Sequence, residues 1–257
     1  INDAYAKFLH LTPLRIDVPW GRGVDPNLVA DTLKKNPDIS VVAVVHSETS
    51  TCTASDVGAI AKVVRASGSE ALLVVDGITS VGAFPCEMDA WGIDCLVTGS
   101  QKAMMLPPGL GYVGLGERAI ARLEELPKGP QYNLDLRRWL KSWKEIDVPF
   151  TPPVSLIRGQ KVACDLILSG GGGGGGGLEA TFARTARLQR GTIAALRAMN
   201  LELISHAPSP SVTGAFYPTG VDDSAFRKAL REKHGIHITG GQDGRGAKWK
   251  GKIFRIS

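Results

Sequence analysis

Two residues that can do chemistry follow successive apolar segments of this sequence. Asp76 comes directly after the run 71–75, and Lys102 follows the run 93–97 behind a few small polar residues. A lysine on a loop is ordinarily a surface residue, and an ion pair between Asp76 and Lys102 would satisfy a buried carboxylate. The alternative is a pyridoxal ring between them, with Lys102 as its imine and Asp76 keeping the ring nitrogen protonated so that the ring accepts electrons.

Alternating strands and helices must bring these two residues together. Helices are predicted after Asp25 and after Asp56, because each aspartate can cap a helix N-terminus. The strand-helix-strand order predicts right-handed crossovers and a largely parallel sheet. Three apolar runs are predicted to be its strands: 41–45, 71–75 and 93–97. The first, five consecutive small or β-branched residues, is typical of a strand covered on both faces. The polar loops after them would lie along one edge of the sheet: 47–51, 76–80 and 98–102.

The rest of the chain predicts an edge strand, further helices and a small α+β region. A half-buried strand is expected at 14–18, where apolar and polar residues alternate, and an edge strand at 111–115. Helical spacing is found at 117–125, 154–169, 178–199 and 222–233, and further strand candidates are 202–204, 212–217, 236–238 and 252–256.

Eight consecutive glycines at 170–177 interrupt a region that otherwise has a helical pattern. Because each glycine costs a helix about 1 kcal/mol relative to alanine, we interpret them as placeholders for unidentified side chains. A flexible linker is the second interpretation. The sequence begins without methionine and stops directly after an apparent strand, so we expect it to be truncated at both ends.

Composition argues against several classes of function. The net charge is only +5, and the basic residues are dispersed, which does not favour nucleic-acid binding. No apolar run approaches the roughly 20 residues of a membrane span. The four cysteines lie far apart, with no paired spacing that would suggest a metal or a redox motif. We therefore expect a cytoplasmic protein with buried free thiols, no metal, and neither nucleic acid nor membrane as a partner.

Seven motifs occur in one order across essentially the whole chain: HSETST at 46–51, VDGITS at 75–80, GID at 92–94, GSQK at 99–102, PPGLG at 107–111, TPPVSL at 151–156 and KIFRI at 252–256. As a set they resemble the class V aminotransferases of the alanine/serine:glyoxylate or pyruvate type. The resemblance implies a fold-type I enzyme that uses pyridoxal 5'-phosphate, usually a homodimer with active sites at the interface. It implies a large cofactor-binding domain with a mainly parallel sheet over 1–169, lacking its N-terminal part, and a small, incomplete α+β domain over 170–257.

The resemblance also implies roles for residues around the cofactor ring. Lys102 would form the internal aldimine and then move a proton between the substrate Cα and the cofactor, as a base with a lowered pKa. Asp76 would pair with the pyridinium nitrogen, and Ile78 would pack under the ring. Thr49 would donate to the phenolic oxygen or a nearby ring edge.

The remaining implied roles concern the phosphate and the substrate. Gln101 and Ser100 would reach the phosphate, and Thr151 would be offered to the phosphate of the neighbouring subunit's site. For Thr49, Gln101 and Thr151 the alternative is hydrogen bonding to the loop backbone. Arg255 would grip the substrate α-carboxylate with two parallel bonds that a lysine cannot make.

Two departures from the family pattern are visible. Cys52 stands where the family usually has glycine after the loop at 46–51. The family's phosphate loop and its ring-stacking aromatic residue lie upstream of residue 1.

The expected function is transamination between a small amino acid, alanine or serine, and a 2-oxo acid, glyoxylate or pyruvate. A 2-aminoethylphosphonate-type transaminase and a non-catalytic dimeric scaffold are the alternatives. A cysteine desulfurase is disfavoured, because those enzymes typically carry histidine where this chain has Gln101.

Overall fold

The structure is a computed structural model that describes residues 9–129, 131–169, 176–242 and 248–257. Its strands, in chain order, are β1 (Val41–Val45), β2 (Ser47–Glu48), β3 (Thr53–Ala54), β4 (Leu72–Asp76), β5 (Cys95–Gly99), β6 (Gly111–Leu115), β7 (Thr213–Phe216), β8 (Thr239–Gly240) and β9 (Ile253–Ile256). The helices it describes are α1 (Pro26–Lys35), α2 (Val57–Ala66), α3 (Met88–Trp91), α4 (Glu117–Glu125), α5 (Leu136–Lys144), α6 (Val154–Leu168), α7 (Gly177–Ala198) and α8 (Asp223–His234).

The largest sheet has the strand order β1-β4-β5-β6. β1, β4 and β5 are parallel, and β6 is antiparallel to β5, which confirms the predicted mainly parallel sheet. Asp25 and Asp56 cap α1 and α2 as expected, each accepting a backbone N–H at 2.9 Å. The register pairs Asp76 with Val45 on one side and Val97 on the other. Asp76 therefore lies at the carboxyl edge of the sheet, where the polar loops begin.

Helices cover one face of this sheet. Leu73 and Val75 of β4 are fully buried in one cluster with Ile60 and Val64 of α2. On the other face Val41, Val97 and Val113 remain between 37% and 48% exposed. The prediction that β1 is covered on both faces is therefore wrong for the described residues, because only the face toward α1 and α2 is packed.

The C-terminal part is a three-stranded antiparallel sheet with the order β7-β9-β8. Ala215 and Phe254 of this sheet form a buried cluster with Leu196 of α7. The ring of Phe226 on α8 lies 6.1 Å from that of Phe254. This arrangement has the α+β character that the sequence predicts.

Three predicted strands are not strands in the structure. At 14–18 the alternation reflects the partial burial of Ile16 and Val18, while Arg15 and Asp17 form an exposed pair at 2.8 Å. The segment 202–204 makes only an isolated bridge, from Leu203 to Ala215. The strand expected from 236 begins instead at Thr239, because only Thr239 and Gly240 pair with β9. Most of the glycine run, at 170–175, lies outside the described residues, and Gly177 is the first residue of α7.

None of the helices in the described ranges is both long enough and apolar enough to cross a membrane.

A buried aspartate joins the sheet to its flanking helices. Asp94 is 4% exposed, and its Oδ2 accepts from the Leu73 backbone N–H at 2.7 Å and from the guanidinium of Arg65. Arg118 of α4 lies 3.4 Å from the same oxygen. Asp94 thus connects β4 with α2 and α4 through one desolvated carboxylate.

Replacing Asp94 with alanine should lower the free energy of unfolding by about 3 kcal/mol, because it leaves a guanidinium and a buried N–H without their acceptor. Asp89→Ala is the matched control, since Asp89 is an exposed aspartate on α3. Urea unfolding of both variants measures the difference. Equal stability of the two variants would contradict this role of Asp94.

Candidate functional site

Asp76 ends β4 with its carboxylate exposed. Its Oδ1 accepts from the Ile78 backbone N–H at 2.9 Å, which closes a tight turn after the strand, and its Oδ2 has no partner among the described residues. No ion pair joins Asp76 to Lys102 in the part of the chain that the structure describes. The expectation of a buried carboxylate is therefore wrong, because Asp76 lies past the packed interior of β4.

A concave site of about 260 Å³ lies beside Asp76 on the open face of the sheet. Asp76 and Thr98 are its polar lining residues, and apolar residues line the rest: Ala43, Val44, Val45, Val74, Ile78 and Val97. The fold thus brings Asp76 and Ile78 together beside one cavity, whereas Lys102, which is predicted to flank a ring together with Asp76, is not among its lining residues.

Gln101 joins this group through a close approach over Gly99. A Cβ placed on Gly99 would lie 2.8 Å from Gln101 Oε1 and 3.4 Å from Ile78 Cδ1. The Gln101 amide and the Ile78 side chain therefore both lie over the Gly99 backbone. Any larger residue at position 99 would displace the Gln101 amide.

The loop that carries Lys102 is fixed by Ser100. The fully buried Ser100 hydroxyl donates to the Pro107 carbonyl at 2.7 Å and accepts from the Leu110 backbone N–H at 3.2 Å. Its donor is committed to the loop, so this placement does not favour the predicted contact between Ser100 and a phosphate. The Lys102 side chain is exposed, and its amine has no hydrogen-bond or ion-pair partner among the described residues; the Lys102 carbonyl accepts from Met105 N at 3.0 Å.

Thr49 lies at the tip of the hairpin formed by β2 and β3. Its carbonyl accepts from Arg255 Nη1 at 2.8 Å and faces the Cys52 thiol at 3.8 Å. Cys52 has a φ of 54°, a left-handed conformation that glycine adopts without cost. This explains why the related family usually has glycine there. The buried Cys52 side chain instead packs with Ile204 and Ile253.

A segment of the C-terminal part, 207–209, is hydrogen-bonded to the same hairpin. Ala54 N donates to the Ala207 carbonyl and Ser209 N to the Cys52 carbonyl, both at 2.9 Å. The buried hydroxyls of Ser47 and Ser209 lie 2.7 Å apart. The sequence analysis did not identify this contact, because nothing in the motifs relates residues so far apart in the chain.

Arg255 on β9 is only 7% exposed. Its Nε and Nη2 donate to the Gly240 carbonyl at 3.0 and 2.9 Å, and its Nη1 donates to the Thr49 carbonyl. These bonds use three of the five N–H groups of a guanidinium and leave one on each terminal nitrogen. No carboxylate among the described residues lies within ion-pair distance of Arg255. It is a buried cation with two free donors and no counter-ion in this part of the chain.

Thr151 lies away from these groups. It precedes α6, is exposed, and has no hydrogen-bond partner among the described residues. The structure therefore brings together Asp76, Ile78 and Gln101, and separately Thr49 and Arg255, whereas Thr151 faces solvent.

His46 lies behind the edge that carries Asp76. It is 4% exposed, its ring packs on Phe84 and Trp91, and its Nδ1 has no partner among the described residues. Burial lowers the pKa of His46 to about 4, although the charge of Asp56 opposes this. His46 is therefore neutral at physiological pH.

The folded state should lose stability in acid because of His46. A histidine with a lowered pKa stabilises the folded state fully above its unfolded pKa near 6.5, and that contribution is lost as pH falls toward 4. The loss between pH 7 and pH 4 should be about 3 kcal/mol larger in the wild type than in His46→Phe. Urea unfolding across this range measures it, with exposed His206→Gln as the control. Parallel pH profiles of wild type and His46→Phe would contradict the assignment.

Comparison with known proteins adds to this geometry. A family model described as aminotransferase class-V matches residues 14–249. A soluble hydrogenase small subunit from Synechococcus sp. is 38% identical in an alignment covering 100% of this chain and 63% of that protein. The L-aspartate–glyoxylate aminotransferase of Paracoccus denitrificans is 36% identical, covering 94% of this chain and 59% of that protein.

Solved structures agree with the sequence matches. The crystal structure of pyridoxamine-pyruvate aminotransferase from Mesorhizobium loti has a TM-score of 0.88 at 33% identity, covering 99% of this chain and 64% of that one. This chain spans less than two thirds of the length of each of these three relatives.

Proposed function

This chain belongs to the class-V aminotransferase family, and we propose that its protein transfers an amino group between alanine or serine and a 2-oxo acid, glyoxylate or pyruvate. The names of relatives, among them the aspartate–glyoxylate and pyridoxamine–pyruvate enzymes, support an amino acid and an oxo acid as substrates. We further propose a cytoplasmic homodimer with sites at the interface. Residues 1–169 belong to its large cofactor-binding domain and 170–257 to its small domain.

The buried guanidinium of Arg255 is the observation that carries the choice of substrate. Because a buried charge is costly unless it is paired, a cation with no carboxylate partner in the described chain favours an anionic ligand. One free N–H on each terminal nitrogen matches the two oxygens of a carboxylate. The bonds of Arg255 to backbone carbonyls would serve a scaffold as well, but a scaffold has no use for the two N–H groups left free, which argues against that alternative.

The residues at the sheet edge fit pyridoxal 5'-phosphate. Asp76 keeps its Oδ2 free beside a cavity, Ile78 presents an apolar side chain there, and the Gln101 amide lies over Gly99 next to Ile78. When bound, the cofactor supplies an electron sink for the bonds at the substrate Cα.

The chain's own groups hold and move the proton. The Asp76 carboxylate would keep the ring nitrogen protonated, because a nearby negative charge favours the charged form. The Lys102 side-chain amine, which has no partner among the described residues, would take the proton from the substrate Cα as a general base and deliver it to the cofactor as a general acid.

The remaining residues bind and orient. Arg255 holds the substrate carboxylate, and Thr49, whose carbonyl Arg255 engages, offers its hydroxyl to the edge of the ring. The Gln101 amide and Thr151, the latter from the neighbouring subunit, bind the phosphate. Ser100 contributes by fixing the loop that carries Lys102.

Lys102→Ala in the full-length enzyme should lower the transamination rate by at least about 1,000-fold, because the proton-transfer group is lost. The visible absorbance that pyridoxal phosphate acquires on the protein should disappear after dialysis. Exposed Lys62→Ala on α2 is the control. Retained colour and activity in Lys102→Ala would contradict the role of this lysine.

Arg255→Lys should raise KM for both alanine and glyoxylate by roughly 10- to 100-fold, because a lysine cannot make the paired bonds to a carboxylate. Exposed Arg231→Lys, at the end of α8, is the control. Steady-state kinetics with alanine, serine and 2-aminoethylphosphonate as donors measure the effect. A preference for the phosphonate in the wild type would favour the alternative substrate class.

A further inference from the structure

We propose that Asp223 is a positioning residue for Arg255 and that it acts through the backbone of Gly240. The proposal rests on the proposed role of Arg255 in holding the substrate carboxylate. Asp223 makes no ion pair with Arg255 itself. It lies on α8, outside every motif that the sequence analysis identified.

Gly240 supplies the main acceptor of Arg255. Its carbonyl receives two of the three hydrogen bonds that the guanidinium makes, from Nε and Nη2. Gly240 belongs to β8, which is only two residues long and pairs with β9 through Thr239 and Gly240 alone. So short a strand has few bonds of its own to keep this carbonyl in place.

Asp223 packs directly against the α-carbon of Gly240. A Cβ added to Gly240 would lie 2.9 Å from Asp223 Oδ1, 3.1 Å from Asp223 Oδ2 and 3.3 Å from Arg227 Nε. Both carboxylate oxygens therefore touch the face of Gly240 that a side chain would occupy. The contact sets how far β8 can move toward α8, and with it the position of the carbonyl.

The carboxylate of Asp223 is itself firmly held. Arg227 donates to its two oxygens from Nε at 2.8 Å and Nη2 at 2.7 Å, and the Tyr217 hydroxyl donates to Oδ1 at 2.8 Å. The hydrogen bonds from Arg227 lower the pKa of Asp223, so it stays ionised. Burial, followed by the bond to Asp223, raises the pKa of Tyr217, whose hydroxyl stays a donor.

The contacts that hold Asp223 also reach β9, the strand that carries Arg255. The Tyr217 ring lies 5.2 Å from Phe254, the residue before Arg255, and 5.5 Å from Phe226 of α8. Asp223 is thus fixed relative to β9 on one side and to β8 on the other. This arrangement places the Gly240 carbonyl so that the two free N–H groups of Arg255 keep one orientation toward a carboxylate.

The test uses the full-length holoenzyme with Asp223→Asn, which keeps the side-chain shape but turns an amide NH₂ toward an N–H of Arg227. We expect KM for alanine and for glyoxylate to rise about tenfold, with kcat changed less than twofold, because the carboxylate grip is misaligned. Asp222→Asn is the matched control, since Asp222 only caps α8 at Ala225 N and asparagine caps equally well. Arg227→Gln, which loosens the same carboxylate from its solvent side, serves if Asp223→Asn does not fold.

Two readouts separate this proposal from the proposed function. Labelling of Arg255 by phenylglyoxal, followed by peptide mass spectrometry, should be several-fold faster in Asp223→Asn than in Asp222→Asn, whatever the substrate. In the Arg255→Lys background, Asp223→Asn should add no further rise in KM, because both changes act on one group.

The outcomes are distinct. If Arg255→Lys leaves KM unchanged while labelling is faster in Asp223→Asn, the substrate role of Arg255 is wrong and its positioning by Asp223 stands. If Arg255→Lys raises KM but Asp223→Asn changes neither labelling nor KM, the positioning proposal is overturned. Where Arg255→Lys does raise KM, faster labelling of Asp223→Asn with an unchanged KM, or a KM effect that adds fully to that of Arg255→Lys, also overturns it.

Discussion

Among the described residues, the buried guanidinium of Arg255 is bonded only to backbone carbonyls, and these come from two segments far apart in the chain. Thr49 belongs to the hairpin that follows β1, whereas Gly240 belongs to the short strand β8. Because a buried cation cannot lose these acceptors without a large desolvation penalty, the hairpin and the C-terminal sheet must keep their relative positions. The hydrogen bonds of the hairpin to Ala207 and Ser209 strengthen the same junction.

At the carboxyl edge of the sheet, the loops are held by hydrogen bonds while their reactive side chains are left exposed. The Ser100 hydroxyl donates to the Pro107 carbonyl and accepts from Leu110 N, and one oxygen of Asp76 accepts from Ile78 N. The side-chain amine of Lys102 and Oδ2 of Asp76 remain without partners among the described residues. A site built in this way has groups that are oriented by their loops and available to a ligand.

Much of the fold followed from local patterns. The strands at β1, β4 and β5 and the caps at Asp25 and Asp56 were predicted because apolar runs and capping residues act over a few positions. The buried state expected for Asp76 was wrong, because burial at a strand end depends on what packs beyond it. The strand expected at 14–18 was wrong as well, since alternation describes burial and does not supply a pairing partner. The contact between Asp223 and Gly240 was missed because neither residue belongs to a motif.

The sequence by itself determined which residue types meet at the carboxyl edge of the sheet, because parallel strands joined by helices end on the same side. Its motifs also resemble those of the class V aminotransferases, and from that resemblance we predicted linked roles for Asp76, Lys102 and Arg255. Only the tertiary structure decided that Arg255 is buried without a carboxylate partner in the described chain, that Cys52 adopts a left-handed conformation, and that Ser100 serves its own loop. The bond between Arg255 and Thr49, for example, joins residues 206 positions apart, which no local pattern encodes.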